Sequence, residues 1–192
     1  MKRFLCVVLF ALVTGPLLAG GIHGRVACAG QSDNADAVVY VAKVAGKTFP
    51  LPKEHATMDQ SNRVFQPHVL PVPVGTTVDF ANSDPYLHNV FSPEACADKF
   101  NLGTFPKGEK RSHTFRKECF APVLCIVHPE MEAFLAVLPT PYFAVTKPDG
   151  SYDIRDVPDG SYTVKVWHPK LKGSEKSVSV HGATEADFQI AR

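Results

Sequence analysis

Cys125, His128 and Met131 stand three residues apart at the end of the apolar run Val123-Leu124-Cys125-Ile126-Val127. A thiol, an imidazole and a thioether at that spacing can share one metal ion. Thiolate and imidazole together suit copper or zinc, and a thioether beside them turns the choice towards copper. A fourth donor is available upstream, where Phe80 to Val90 carries His88. Two histidines, a cysteine and a weak axial methionine compose the trigonal donor set of a blue-copper centre. Taken singly, each has a plainer reading: Cys125 as a buried thiol, His88 as a loop histidine, Met131 as core. Their order along the chain is what joins them.

Donors need elements to hold them. Ala121 to Val127 reads as a buried strand carrying Cys125, and Phe134 to Leu138 as the strand after it. From Val69 the pattern alternates, with Leu70, Val72 and Val74 on one face, then Val78 and Phe80 after Gly75. Pro71 and Pro73 cannot donate to a ladder, which predicts an edge strand. Ser92-Pro93-Glu94-Ala95 predicts a helical turn reaching Lys99, with Ser92 as N-cap. Ser112 to Phe115 reads as a strand. Lys47 to Asn62, with Pro50 and Pro52, reads as an irregular loop, and its His55 and Met58 fit no metal site. His68 reads as a surface or packing histidine.

With Phe65-Gln66-Pro67, Val74-Gly75-Thr76-Thr77-Val78, Asn82-Ser83-Asp84 and His88-Asn89-Val90 added to the ligand loop, roughly 63–139 resembles the cupredoxins, the plastocyanin-like blue-copper proteins. The resemblance implies a Greek-key β-sandwich holding copper, as Cu(I) or Cu(II), on His88, Cys125, His128 and Met131. The Cys-x2-His-x2-Met spacing is similar to the short loop of amicyanin and not to the longer one of plastocyanin. The resemblance also implies that Asn89 hydrogen-bonds across to the cysteine segment and ties the two ligand loops together. A turn residue at a strand end is the alternative for Asn89. Pro129 has no N–H and stiffens the loop, and Glu130 reads as solvent-facing.

The chain has 192 residues, 45% of them apolar, enough for one large or two small domains. Basic and acidic residues number 20 and 19, so no single-sign field points to a nucleic-acid partner. Sixteen prolines and thirteen glycines between short apolar runs favour an all-β chain. Lys2-Arg3, the apolar stretch Phe4 to Ala19 and the small residues Ala19-Gly20-Gly21 predict a signal peptide over 1–21, cleaved near Gly21. The expected location is the periplasm or another exported compartment, with no integral membrane segment after cleavage. The apolar run, broken by Gly15-Pro16, falls short of the ~20 residues a span needs. Cleavage leaves Cys28, Cys96, Cys119 and Cys125. If Cys125 holds metal, Cys96 and Cys119 are the expected disulfide pair, two ordinary core residues being the alternative.

The last third changes character. Pro148-Asp149-Gly150 is a hairpin signal, and Val157-Pro158-Asp159-Gly160 repeats it. Tyr162, Val164 and Val166 share a face, and Val178, Val180, Phe188 and Ile190 continue the half-buried pattern of a small antiparallel sandwich. The block from Pro148 to Val164 resembles the carboxypeptidase-regulatory, transthyretin-like domains. Such domains open with a Gly-x-Val strand and an Ala-x-Val-x-Val-type strand, which look like Gly24-Arg25-Val26 and Ala37 to Val41 at the other end of the chain. The expected organisation has first strands at 22–50, a cupredoxin domain at 57–139 and the rest of the outer sandwich at 140–192. Two sandwiches in tandem are the alternative. Trp167-His168-Pro169 reads as an exposed strand end.

These readings meet in an exported single-electron carrier whose copper site is made of two histidines, a cysteine and a methionine. Its redox partner would be a protein such as a c-type cytochrome or an oxidoreductase. The alternative is a periplasmic copper-binding protein that stores or delivers the metal without electron transfer. An enzyme is not expected. A multicopper oxidase needs a His-x-His array, which the eight histidines do not form. A zinc site would want further thiolates nearby.

Overall fold

The structure is a computed structural model and describes residues 20–192. The expected leader falls on residues outside that range, except Gly20 and Gly21, which already open the first strand. That strand is β1 (Gly20–Cys28), followed by β2 (Val38–Val41). The middle of the chain holds β3 (Ala56–Ser61), β4 (Val64–Gln66), β5 (Val69–Pro73), β6 (Thr77–Asn82), β7 (His88–Phe91) and β8 (Asn101–Phe105). It continues with β9 (Lys110–Thr114), β10 (Cys119–Leu124) and β11 (Glu132–Leu138). The last part holds β12 (Phe143–Val145), β13 (Ser151–Val157), β14 (Gly160–Trp167), β15 (Ser174–Val180), β16 (Ala183–Glu185) and β17 (Phe188–Ile190). Among the described residues the chain is all-β apart from one 3-10 turn at Ala95–Ala97.

The middle strands form two sheets, ordered β5-β11-β10-β7-β8 and β4-β3-β6-β9. Alternation along them sends Phe65, Phe80, Phe105, Phe115 and Leu135 into a shared apolar core. β5 lies at a sheet edge, the place its two prolines allow, and runs parallel to β11.

The two ends of the chain meet. β1 pairs with β13, β16 and β17, and β2 pairs with β12 and β14. Val39 lies opposite Val166, and Val41 opposite Val164. Ile22, Val26, Val39, Val41, Ile154 and Val164 are buried in a second core. On this pairing we propose that 22–50 and 140–192 form one unit into which 57–139 is inserted.

A third apolar cluster joins the sheets of the two cores. Trp167, at the end of β14, stacks on Phe120 of β10 with ring centroids 4.7 Å apart and planes 13° from parallel. It also meets Phe134 at 5.9 Å, while Val38, Val69, Ala136 and Leu138 fill the surroundings. Trp167 is therefore half-buried and His168 buried, where the sequence suggested an exposed strand end. β10 is covered on both faces, by Ala121 and Val123 inward and by Phe120 outward.

Four local readings are corrected. The loop expected through Asn62 contains β3, whose inward Met58 and Gln60 alternate with polar residues that concealed a strand. The expected helical turn is the short 3-10 turn, with no side-chain cap. Ser92 instead takes the Glu94 N–H at 3.4 Å, Asp98 and Lys99 adopt left-handed backbone, and Cys96 within the turn is disulfide-bonded to Cys119. The turns at Gly150 and Gly160 do not close hairpins: each carries the chain from one sheet to the facing one. Finally, β16 and β17 run parallel to β1, so the outer pairing is mixed and not purely antiparallel.

Trp167→Ala opens the stack between the two cores. It is expected to lower unfolding free energy by about 2 kcal/mol in urea melts. In the double mutant, Phe120→Ala should then cost less than it does alone. Additive losses would contradict the contact.

Candidate metal centre

β10 stops at Leu124, so Cys125 stands at the first position of a loop and not within a buried strand. The strand ends there because Ile126 and Val127 turn outward, 61% and 44% exposed, while Cys125 stays buried. His88 opens β7 opposite Phe105 and is fully buried. His128 returns on the loop and is half-buried. The structure brings the thiol and both imidazoles together: the ligand atoms of His88, Cys125 and His128 lie within 4.8 Å of one another. His88 Nδ1 is 3.0 Å from His128 Nδ1 and 4.0 Å from Cys125 Sγ. Met131 sits on the same loop, its N–H donating to the His128 carbonyl at 2.9 Å, and its side chain is buried in the cluster that contains Cys125.

The tautomer of His88 follows from its neighbour. Asp84 Oδ2 lies 2.8 Å from His88 Nε2, so that nitrogen donates and carries the proton. Nδ1 is left with a lone pair facing Cys125 and His128. The carboxylate is itself buried and is satisfied by two further donors, the Asn62 N–H at 2.6 Å and the Arg63 N–H at 2.8 Å. Both donors belong to the tight β3–β4 turn, where Asn62 and Arg63 have φ of 57° and 60°, the conformation a two-residue hairpin requires. Burial pushes the Asp84 carboxyl up, but the bonds from Arg63, His88 and Asn62 together outweigh it and hold it below the usual range. Asn82, also buried, takes the Asp84 N–H at 3.0 Å and donates to the Tyr86 and Phe105 carbonyls. The Asn82-Ser83-Asp84 segment is thus a knot under the ligand.

Asn89 bridges to the cysteine segment. Its backbone N–H points at Cys125 Sγ at 3.3 Å, and its Oδ1 accepts the Ile126 N–H at 3.4 Å. Two ligand segments are joined at one residue. Of the large apolar side chains on these two segments, Tyr86, Leu87, Ile126 and Val127 are exposed. Tyr86 sets its ring edge against His128, and the Arg63 guanidinium lies 4.6 Å above the Tyr86 ring centre. His55 and His68 lie apart from the site, bonded to Asp79 and Asp36.

A buried thiol and two imidazole nitrogens converging from different segments, with a thioether on the same loop, compose a group that could hold a copper ion. No protein-family model and no curated protein matches the chain. Part of it is similar to solved structures. A purple cupredoxin from Nitrosopumilus maritimus is 26% identical over 43% of this chain and 98% of its own, with a TM-score of 0.39. A methionine-to-alanine variant of amicyanin with Cu(I) is 22% identical over 43% and 81%, with a TM-score of 0.41. A copper-containing nitrite reductase from Thermus scotoductus is 28% identical over 50% of this chain, with a TM-score of 0.41, and only 25% of that enzyme is spanned.

The role of Asp84 escaped the sequence reading, although a carboxylate four residues before a candidate ligand was visible. Metal-binding histidines regularly give their second N–H to such a group. Asp84→Asn is expected to destabilise the metal-free protein by about 2 kcal/mol at neutral pH, because it weakens charge-assisted bonds. The folded carboxyl titrates below its unfolded value of about 4, so its contribution is full above that pH and drains as pH falls further. The gap between the two proteins in urea melts should therefore narrow from pH 7 to pH 3. A gap that widened in acid would contradict the assignment.

Proposed function

We propose that this chain is an exported type 1 copper protein that carries single electrons, with His88, Cys125, His128 and Met131 as ligands. The observation that supports it best is the convergence of His88 Nδ1, His128 Nδ1 and Cys125 Sγ within 4.8 Å of one another, with His88 and Cys125 buried. Copper, when bound, supplies a one-electron couple between Cu(I) and Cu(II). The protein's own residues do the rest. Asp84 keeps the proton on His88 Nε2, and the Asn89 N–H aims at the cysteine sulfur, where a hydrogen bond tempers the thiolate's donation to the metal.

Half-buried His128, with Leu87, Ile126 and Val127 exposed on the two segments that carry the site, is where a partner would come nearest to the ligands. Exposed apolar side chains of this kind suit a transient contact that excludes water without building a tight complex. With Cys125 and His88 buried, electron exchange through His128 fits the site better than turnover of a substrate at the metal. The partner would be a c-type cytochrome or an oxidoreductase of the same compartment. The Cys96–Cys119 disulfide accords with an oxidising compartment. A leader cut after Ala19 would keep β1 whole, whereas a cut after Gly21 would remove its pairings to Val157 and Ala183.

Adding Cu(II) should produce an intense visible charge-transfer band that is lost in Cys125→Ser. A colourless complex in the unsubstituted protein would refute the ligand set. Rapid electron self-exchange is expected of the coloured protein. Slow exchange with easily lost copper would favour the storage or delivery alternative.

A further inference from the structure

Asn89 has a second partner whose position decides what Asn89 can do. Its Nδ2 donates to Asn101 Oδ1 at 2.9 Å, and the same oxygen accepts the Gly103 N–H at 2.8 Å. Asn101 is the first residue of β8, and the β7–β8 pairing slips between Asn89 and Phe91. Asn89 lies opposite Thr104 and Phe91 opposite Asn101, so β8 carries one extra residue there. Such a bulge redirects side chains. Gly103 sits in it with φ of +73°, a conformation that side-chain-bearing residues resist, and a Cβ there would come 2.9 Å from the Arg111 guanidinium. Arg111 in turn donates to the Leu102 carbonyl and holds the bulge from the neighbouring sheet.

The polarity of this relay is fixed from both ends. Ile126 N–H and Gly103 N–H are backbone donors and cannot reverse. The first requires an oxygen from Asn89, which leaves Nδ2 needing an acceptor. The second requires an oxygen from Asn101, and that oxygen is the acceptor Asn89 needs. Residue 126 is an isoleucine and offers no side-chain partner for the Asn89 amide.

We propose that Asn101 is a positioning residue for the copper site: it orients the Asn89 side chain, and through it the Asn89–Cys125–Ile126 junction that places an N–H on the cysteine sulfur. This rests on the copper reading above, but one arm of its test does not. Asn101 is exposed, so its replacement is compatible with folding. In the metal-free protein, Asn101→Ala should speed hydrogen exchange of the Ile126 amide about fivefold, the effect of losing one hydrogen bond. Asn101→Asp, whose carboxylate can accept both bonds, should restore the protection. In the copper-loaded protein, Asn101→Ala should lower the reduction potential, because a weaker N–H···S bond leaves the thiolate a stronger donor to Cu(II). Unchanged Ile126 exchange in Asn101→Ala, or no recovery in Asn101→Asp, overturns the relay whatever the metal does. Faster exchange with an unmoved potential overturns its role at the site. A protein that shows the exchange effect but no visible band keeps the relay and refutes the copper reading.

Discussion

A charged carboxylate inside a β-sandwich is tenable only if donors surround it, and Asp84 is the point on which the ligand end of this molecule turns. Its three donors come from the β3–β4 turn and from His88. Each has a geometric consequence. The turn must adopt left-handed backbone at Asn62 and Arg63 to aim both N–H groups inward. His88 must present Nε2 to the acid and Nδ1 to Cys125 and His128. Remove the carboxylate, and a fully buried imidazole loses the partner that fixes its tautomer, while two turn N–H groups lose theirs. The turn also carries Arg63 to its place over Tyr86, beside His128. One buried interaction therefore links the turn beside His128 to the tautomer of His88.

The remaining constraint is rigidity in the strand that delivers the thiol. β10 has apolar cover on both faces, the inner from its own sandwich and the outer from Phe120 against Trp167. A thiol at the end of such a strand has little freedom to drift. The loop beyond it has the opposite character, with Ile126 and Val127 turned to solvent. A firmly held inner half and an apolar, accessible outer edge support the single-electron role proposed above, with small reorganisation inside and a brief contact outside. The second core contributes through Trp167, which stacks on Phe120 of that strand.

Much of this was legible in the sequence, because ligand chemistry leaves distinctive residues at short spacing. The Cys125-x2-His128 spacing and His88 named the converging group, and Asn89 its cross-tie. Gly24-Arg25-Val26 and Ala37 to Val41 were legible as strands, and the resemblance to transthyretin-like domains pointed towards the distant partners they have. What the sequence hid has physical reasons. Ile126 and Val127 look like core because hydrophobicity alone does not tell a buried strand from an exposed apolar loop. β3 was obscured because its outward positions are polar and its inward Gln60 is polar too. Asp84 gathers its three donors, and Asn101 its bond from Asn89, by tertiary approach, Asn101 beside a bulge, and neither leaves a periodic trace.

The most direct test of the central claim is X-ray absorption at the copper edge of the loaded protein, recorded oxidised and reduced. The account predicts one short copper–sulfur distance and two imidazole nitrogens in both states, with distances that scarcely change on reduction. It also predicts that the short copper–sulfur distance disappears in Cys125→Ser. Copper held by nitrogen and oxygen alone, or a donor set that changes between the two oxidation states, would contradict it.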